Sequence, residues 1–297
     1  MKKYIRSRFE EKLYSPIRSA EDYFAYVKAL YDEWSADAGR ERTLYEMTRE
    51  RVGRCIPGLV DRQPPQFFTG DIHAEMAMIS LNPHANENAE IDTIPFCGSW
   101  EDYRSFWVDF PRHRYGENGC AAHTKIARLS YFDRRAQHFL SGCAGEVTAA
   151  DLAKWNMFHI ELFPIGSSDF KSVKVGAIDE YACQYILRML EALVLTERKL
   201  IVALNAQLLK FLKRAKKLNM LTGLTVRDKS FSIGEKTVLR EDYVVKLATG
   251  KTLKIAAAKT FAKRGYLSNA ELAVYAKKIF SPEEIKTIRS AVGIKRR

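Results

Sequence analysis

The strongest apolar run in the chain is Met76–Leu81 (MAMISL), which stops abruptly at Asn82-Pro83. Its length and composition predict a strand buried on both faces, and proline, which lacks an N–H for the ladder, ends it. Similar runs predict strands at Met157–Phe163 (MFHIELF) and Lys199–Leu204 (KLIVAL), and a late pair, Tyr243–Leu247 and Thr252–Ala257, joined as a hairpin through Ala248–Lys251. Helical spacing dominates between them. Tyr23, Phe24, Tyr26, Val27, Leu30, Tyr31 and Trp34 fall near i, i+3, i+4, i+7, as do Ile178, Tyr181, Tyr185, Ile186, Met189, Leu190 and Leu193, and AQLLKFLKRAKKL follows the third strand. Ser268-x-x-Glu271 is a capping box, and Ser281-Pro282-Glu283-Glu284 places a cap, a first-turn proline and first-turn acids. Alternating strands and helices predict an α/β fold with a mainly parallel sheet between helices. Ile56–Pro65 holds three of the nine prolines and reads as a connector. The expected organisation is therefore an N-terminal helical extension and connector over 1–65, then a catalytic domain over 66–297 with an insertion around 100–155. That insertion is rich in aromatics, most of which are expected to pack.

Composition adds a compartment and a partner class. No apolar run approaches the ~20 residues of a membrane span, and no apolar core follows the two lysines at the amino terminus, so neither membrane nor secretory targeting is expected. A cytoplasmic location follows as an expectation. Cys55, Cys97, Cys120, Cys143 and Cys183 are odd in number, dispersed and never form C-x-x-C, which points to reduced thiols rather than a disulfide framework or a zinc module, so no metal or other cofactor is expected. The net charge of +12 is uneven. Residues 1–150 carry 20 Lys+Arg against 22 Asp+Glu, and residues 151–297 carry 28 against 14, so the whole excess lies in the second half. Lys210, Lys213, Arg214, Lys216 and Lys217 cluster, as do Lys259, Lys263 and Arg264. Such asymmetry favours a polyanion partner over a merely solubilising face, because lysines and arginines on phosphates release counterions. No obligatory protein partner is evident.

The candidate chemistry starts at the Asn82-Pro83 turn, since loops at strand carboxyl ends are where open α/β sheets bind ligands. The order LNP, eleven residues, PFCG, then FHIELFPI, then KLIVALNAQLLKFL resembles the uracil-DNA glycosylase superfamily over roughly residues 70–280. The likeness is greatest to its single-strand-selective and mismatch-type branches, whose first motif is an Asn-Pro loop followed by a Pro-Phe-Gly segment. The resemblance implies a three-layer α/β/α fold around a central, mainly parallel four-stranded sheet. It also implies an enzyme that flips a base out of DNA and hydrolyses the N-glycosidic bond to leave an abasic site. That reaction builds oxocarbenium character on the sugar and negative charge on the base, so the site must orient a water and stabilise the leaving group. Asn82 is the expected water holder, with the Pro83 carbonyl beside it. Phe96 is either the wall that stacks on the extruded base or a core aromatic. Asp92 would activate the water directly or lie solvated in its polar loop, and His84 is a weaker alternative.

Two positions depart from the family pattern. Where the family presents an asparagine that reads uracil, this chain has Glu161. An ionised carboxylate only accepts, which suits the amine of a cytosine-type base, and a protonated one could donate to the ring N3. A buried glutamate paired with Lys or Arg is the alternative. The last motif lacks the family's histidine and reads AKTFAKRGYLS, where Lys259, Lys263 or Arg264 would supply positive charge and Tyr266 or Leu267 would wedge into the duplex. A cytosine-reading carboxylate with a remodelled pocket resembles the members of this superfamily that excise glucosylated hydroxymethylcytosine from phage DNA, so by that analogy the expected substrate is a modified cytosine in anti-phage defence. Repair of uracil or another deaminated base, a non-catalytic nucleic-acid-binding protein on the same fold, and a small-molecule hydrolase are the competing readings.

Overall fold

Strand formation follows the apolar runs. The structure, a computed structural model, describes residues 15–35, 54–55, 65–81, 98–115, 131–165, 174–261 and 265–293. In chain order its elements are α1 (Ala20–Trp34), β1 (Phe68–Gly70), β2 (Met76–Ser80), α2 (Trp100–Val108), α3 (Phe110–Tyr115), α4 (Tyr131–Ala144), α5 (Ala149–Leu152), β3 (Phe158–Glu161), α6 (Glu180–Glu191), β4 (Leu200–Ala203), α7 (Leu208–Lys217), β5 (Leu221–Ile233), β6 (Lys236–Leu247), β7 (Thr252–Ala257), α8 (Asn269–Ile279) and α9 (Pro282–Val292). The strands form one sheet in the order β1-β3-β2-β4-β7-β6-β5. The neighbours β3, β2, β4 and β7 are parallel, while β1 joins one edge and β6-β5 the other by antiparallel pairing. The expectation of a four-stranded sheet is thus corrected to a mixed seven-stranded sheet with four parallel strands at its centre.

The two added regions escape the hydrophobic pattern for different reasons, shortness in the fully buried β1 and exposure in β5. β1 is three residues long, and β5 exposes most of its positions between Thr222 and Ser232. A strand that buries little carries no apolar alternation. What marks β5 instead is its pairing with β6 from Leu221↔Leu247 to Ile233↔Lys236, closed at Gly234, whose φ of 57° suits glycine.

Two helical layers cover the sheet. Ala77, Ile79, Phe158, Ile160, Ile201 and Ala203 share one core with side chains of α1, α2, α6 and α7. Met76, Met78, Leu200, Val202 and Ala256, on the opposite face, share the other with α4, α8 and α9. α1 belongs to the first core: Tyr23 is fully buried, meets the rings of Phe68 and Phe158 edge-on, and its hydroxyl donates to the Phe67 carbonyl at 3.4 Å. Its entry is pinned where Glu191 of α6 accepts from the Ile17 N–H at 2.9 Å and pairs with Arg188 at 2.6 Å. The aromatics of α2 and α3 pack as expected, Trp100 on Tyr103 and Trp107 on Phe110. On the other face α4 crosses α8 so closely that a Cβ on Gly142 would lie 2.0 Å from the Ala273 carbonyl oxygen, which is why that crossing needs glycine.

Candidate functional site

The sheet register gathers four polar side chains on one face. Thr69 of β1 lies opposite His159 of β3, and Ser80 of β2 lies opposite Glu161 of β3. His159 and Glu161 are two residues apart, so both project from the same face. His159 Nε2 is 2.8 Å from Ser80 Oγ and 3.4 Å from Glu161 Oε1, and its Nδ1 is 3.4 Å from Thr69 Oγ1. All four residues are buried, Glu161 being 5% exposed. Glu161 Oε2 has no hydrogen-bond partner among the described residues. Burial alone shifts the two titratable groups, pushing His159 down to about 4 and Glu161 well above the usual carboxylate range. The 3.4 Å contact between them is therefore one between a neutral imidazole and a carboxyl held towards its acid form, rather than an ion pair.

The site lies at the carboxyl edge of the parallel strands. Beyond β3 the ladder continues, with Leu162 N–H donating to the Ser80 carbonyl at 3.2 Å and Phe163 N–H to the Leu81 carbonyl at 2.9 Å. Glu161 thus stands beside the last two residues before Asn82. Asn82 itself, with Pro83, His84, Asp92 and Phe96, lies outside the described residues. At the same edge, Asn205 after β4 accepts from the Gln207 and Leu208 N–H groups through Oδ1, which fixes the start of α7.

Of the cations assigned to the last motif, Lys259 follows the carboxyl end of β7, three strand spacings from Glu161, or roughly 14 Å. It is tied to the buried Glu241, to which Tyr243 also donates. Burial acts to raise Glu241, but bonds from Lys259 and Tyr243 outweigh it and hold the carboxyl below its ordinary value. Lys263 and Arg264 lie outside the described residues. Arg135 of α4 holds both flanks of that segment, donating to the Phe261 carbonyl at 2.7 Å and to the Leu267 carbonyl at 3.1 Å. Tyr266 is half-buried, with its hydroxyl on the Thr237 carbonyl at 2.9 Å. The wedge role for Leu267 requires correction: its side chain is 2% exposed and packs in the core beneath α4 and α8, so it is not free to enter a duplex.

Two of the five cations around α7 serve the fold, since Arg214 bonds the Ile178 carbonyl and Lys216 bonds the Thr222 carbonyl. A different basic surface emerges from the register. Thr225, Arg227, Lys229, Val244, Lys246, Thr252 and Lys254 share one face of β5-β6-β7 with Asp242, which lies opposite Arg227 and pairs with Lys229 at 2.7 Å and with the buried Arg240; Arg227, Lys246 and Lys254 are exposed there. A groove of about 420 Å³ lies between α1, α2 and Asp71–His73, at the amino end of β2 and so at the far end of the sheet from Glu161.

Sequence reasoning reached Glu161 and missed Thr69, Ser80 and His159. The signal for His159 was present, because His-x-Glu in an apolar strand puts two titratable groups on one buried face. Ser80 and Thr69 carried no such signal, as their proximity comes from strand order. Among the described residues no group of His, Cys, Asp and Glu is arranged to hold a metal ion, and no helix is long and apolar enough to cross a membrane. Cys55, Cys143 and Cys183 are buried thiols, each pushed up to about 12 by burial. No protein-family model matches the chain, nor does any curated protein or solved structure.

Proposed function

We propose that the protein is a DNA glycosylase that hydrolyses the N-glycosidic bond of a modified cytosine, such as the glucosylated hydroxymethylcytosine of phage DNA. The observation that carries this reading is Glu161: a buried carboxyl at the carboxyl edge of a parallel sheet, one oxygen unpartnered, beside the strand that runs into Asn82-Pro83. A buried polar atom left without a partner costs about 1–3 kcal/mol, and a ligand that bonds it removes that cost. A flipped cytosine-type base offers both an exocyclic amine and a ring nitrogen on the edge that would meet Glu161.

The parallel core β3-β2-β4-β7 between two helical layers agrees with the fold that the resemblance to uracil-DNA glycosylases implies. In this reading Asn82 and the Pro83 carbonyl orient the attacking water, and Phe96 stacks on the base. Asp92 is the alternative activator of the water. The exposed cations of β5-β6-β7 add a phosphate-binding face of the kind a DNA enzyme needs.

The test is base release. Oligonucleotides carrying uracil, cytosine, hydroxymethylcytosine or its glucosylated form are incubated with the protein and assayed for alkali-labile abasic sites. Release of a cytosine derivative, lost in Asn82→Ala, is the expected result. Efficient release of uracil with no attack on cytosine derivatives would reverse the reading of Glu161. DNA binding with no release of any base would leave a binding protein in place of an enzyme.

A further inference from the structure

We infer that His159 is a positioning residue that turns Glu161 into a proton donor, by engaging Oε1 and leaving the acid proton on the unpartnered Oε2. The inference rests on the glycosylase reading for its substrate, but its geometry is a property of the protein alone.

Three polar groups surround the imidazole, and their arrangement selects one tautomer. Ser80 Oγ and Glu161 Oε1 both lie within reach of Nε2, at 2.8 and 3.4 Å, while Thr69 Oγ1 lies 3.4 Å from Nδ1. With the proton on Nε2, the N–H donates to Ser80 Oγ and lies beside Glu161 Oε1, and the Thr69 hydroxyl donates to the lone pair of Nδ1, so every contact is attractive. With the proton on Nδ1, the single lone pair of Nε2 would face both Ser80 and Glu161. One lone pair does not satisfy two donors, and whichever oxygen failed to donate would sit against it in repulsion. Burial keeps the ring from taking a second proton, so the choice lies between these two neutral forms. Thr69, Ser80 and His159 are the polar side chains that the register sets around Glu161, and no charged group among the described residues contributes to the shift of either titratable member.

The consequence for Glu161 is directional. The Nε2–H that Ser80 Oγ accepts lies 3.4 Å from Oε1 and turns its positive end towards that oxygen, which places the carboxyl proton on Oε2, the atom with no partner. The base therefore meets an O–H donor, and the matching acceptor on a cytosine-type base is the ring N3. As the C1′–N1 bond breaks and its electron pair moves onto the base, the Oε2 proton passes to N3 and a neutral base departs. Water adds its oxygen to C1′, and the proton it releases returns the Glu161 carboxylate to its acid form. Cytosine is a poor leaving group as an anion, so this transfer supplies what an orienting amide such as Asn82 does not.

The test has an arm on the protein alone and an arm on the reaction. Nitrogen-15 NMR of the full chain locates the His159 proton; it is expected on Nε2, and a proton on Nδ1 overturns the inference. In the reaction arm, His159→Gln keeps an N–H donor near the Nε2 position and His159→Leu removes it. His159→Leu is expected to lower kcat for the released base by about 10²-fold, the scale of a mispositioned general acid. It is also expected to move the alkaline limb of kcat to higher pH, since the N–H dipole that favoured the carboxylate is gone, with KM little changed. His159→Gln should restore most of kcat and the original limb. Equal loss in both variants, or a wild-type pH profile in His159→Leu, overturns the positioning role. If the proton is on Nε2 and no DNA base is released by the wild-type protein, the glycosylase reading fails while the tautomer assignment stands.

Discussion

Replacing Glu161 with methionine should make the protein more stable. Methionine matches glutamate closely in length and removes a buried carboxyl whose Oε2 has no partner. Removing an unsatisfied buried acceptor recovers about 1–3 kcal/mol. Against this gain stands the 3.4 Å approach of Glu161 to His159, which the variant no longer makes, although His159 keeps Ser80 at 2.8 Å and Thr69 at 3.4 Å. A contact of that length contributes less than about 1 kcal/mol, so the variant gains up to about 3 kcal/mol, or up to roughly 5 °C in Tm for a chain of this size. The gain must also depend on pH. Burial raises the native pKa of Glu161, so the folded wild type binds a proton that the unfolded chain releases above its ordinary value of 4.5. The stabilisation from that proton is complete below the unfolded pKa and declines by up to ~1.4 kcal/mol per pH unit as pH rises towards the native pKa. Glu161→Met is free of this decline, so its advantage should be larger at pH 8 than at pH 5. Urea unfolding followed by circular dichroism at the two pH values measures both. A variant less stable than wild type at pH 8, or an advantage equal at the two pH values, refutes the claim that this carboxyl is held at an energetic cost. Catalysis should be lost in the same variant, the pattern of a residue kept for function rather than for stability.

Other perturbations have equally definite outcomes. Lys259→Met removes the cation bonded to the buried Glu241, and should cost about 1–3 kcal/mol at pH 7. Because Glu241 is held below its ordinary pKa, its stabilising effect is present above about 4.5 and is lost as pH falls, so the penalty measured by urea unfolding should shrink by pH 3. Leu267→Ala should destabilise by about 2–5 kcal/mol, as expected of a core leucine, and a near-neutral result would restore the exposed wedge. Changing Arg227, Lys246 and Lys254 together to serine should lower the slope of log K against log salt for DNA by up to about 2–3, and an unchanged slope would remove that sheet face from the DNA interface. Ser281→Ala removes the side chain that accepts from the Glu284 N–H and should cost about 1 kcal/mol in thermal unfolding.

The periodicities in the chain were enough for the parallel core and the closing helices. β2, β3, β4 and β7 bury nearly all their positions, so their runs are continuous and bounded by turns, and the Ser268 and Ser281 capping boxes form as their spacing requires. β5 was illegible for the converse reason: Arg227, Asp228, Lys229 and Ser230 face water, and their strand conformation is imposed by pairing with β6. Leu267 was misplaced because an apolar side chain near a basic loop has the same signature whether it points outward to a duplex or inward to α4 and α8. At the candidate site, Glu161 stood out in sequence as a carboxylate in an apolar strand, a property of one residue and its neighbours along the chain. His159 shared that strand, but Ser80 and Thr69 come from two others, and they meet it because β2 and β1 flank β3 on either side. Strand order is set by long-range packing and has no local signal. A sequence can therefore reveal that a polar group is buried, but only the folded sheet decides which groups surround it and which of its atoms is left to meet a ligand.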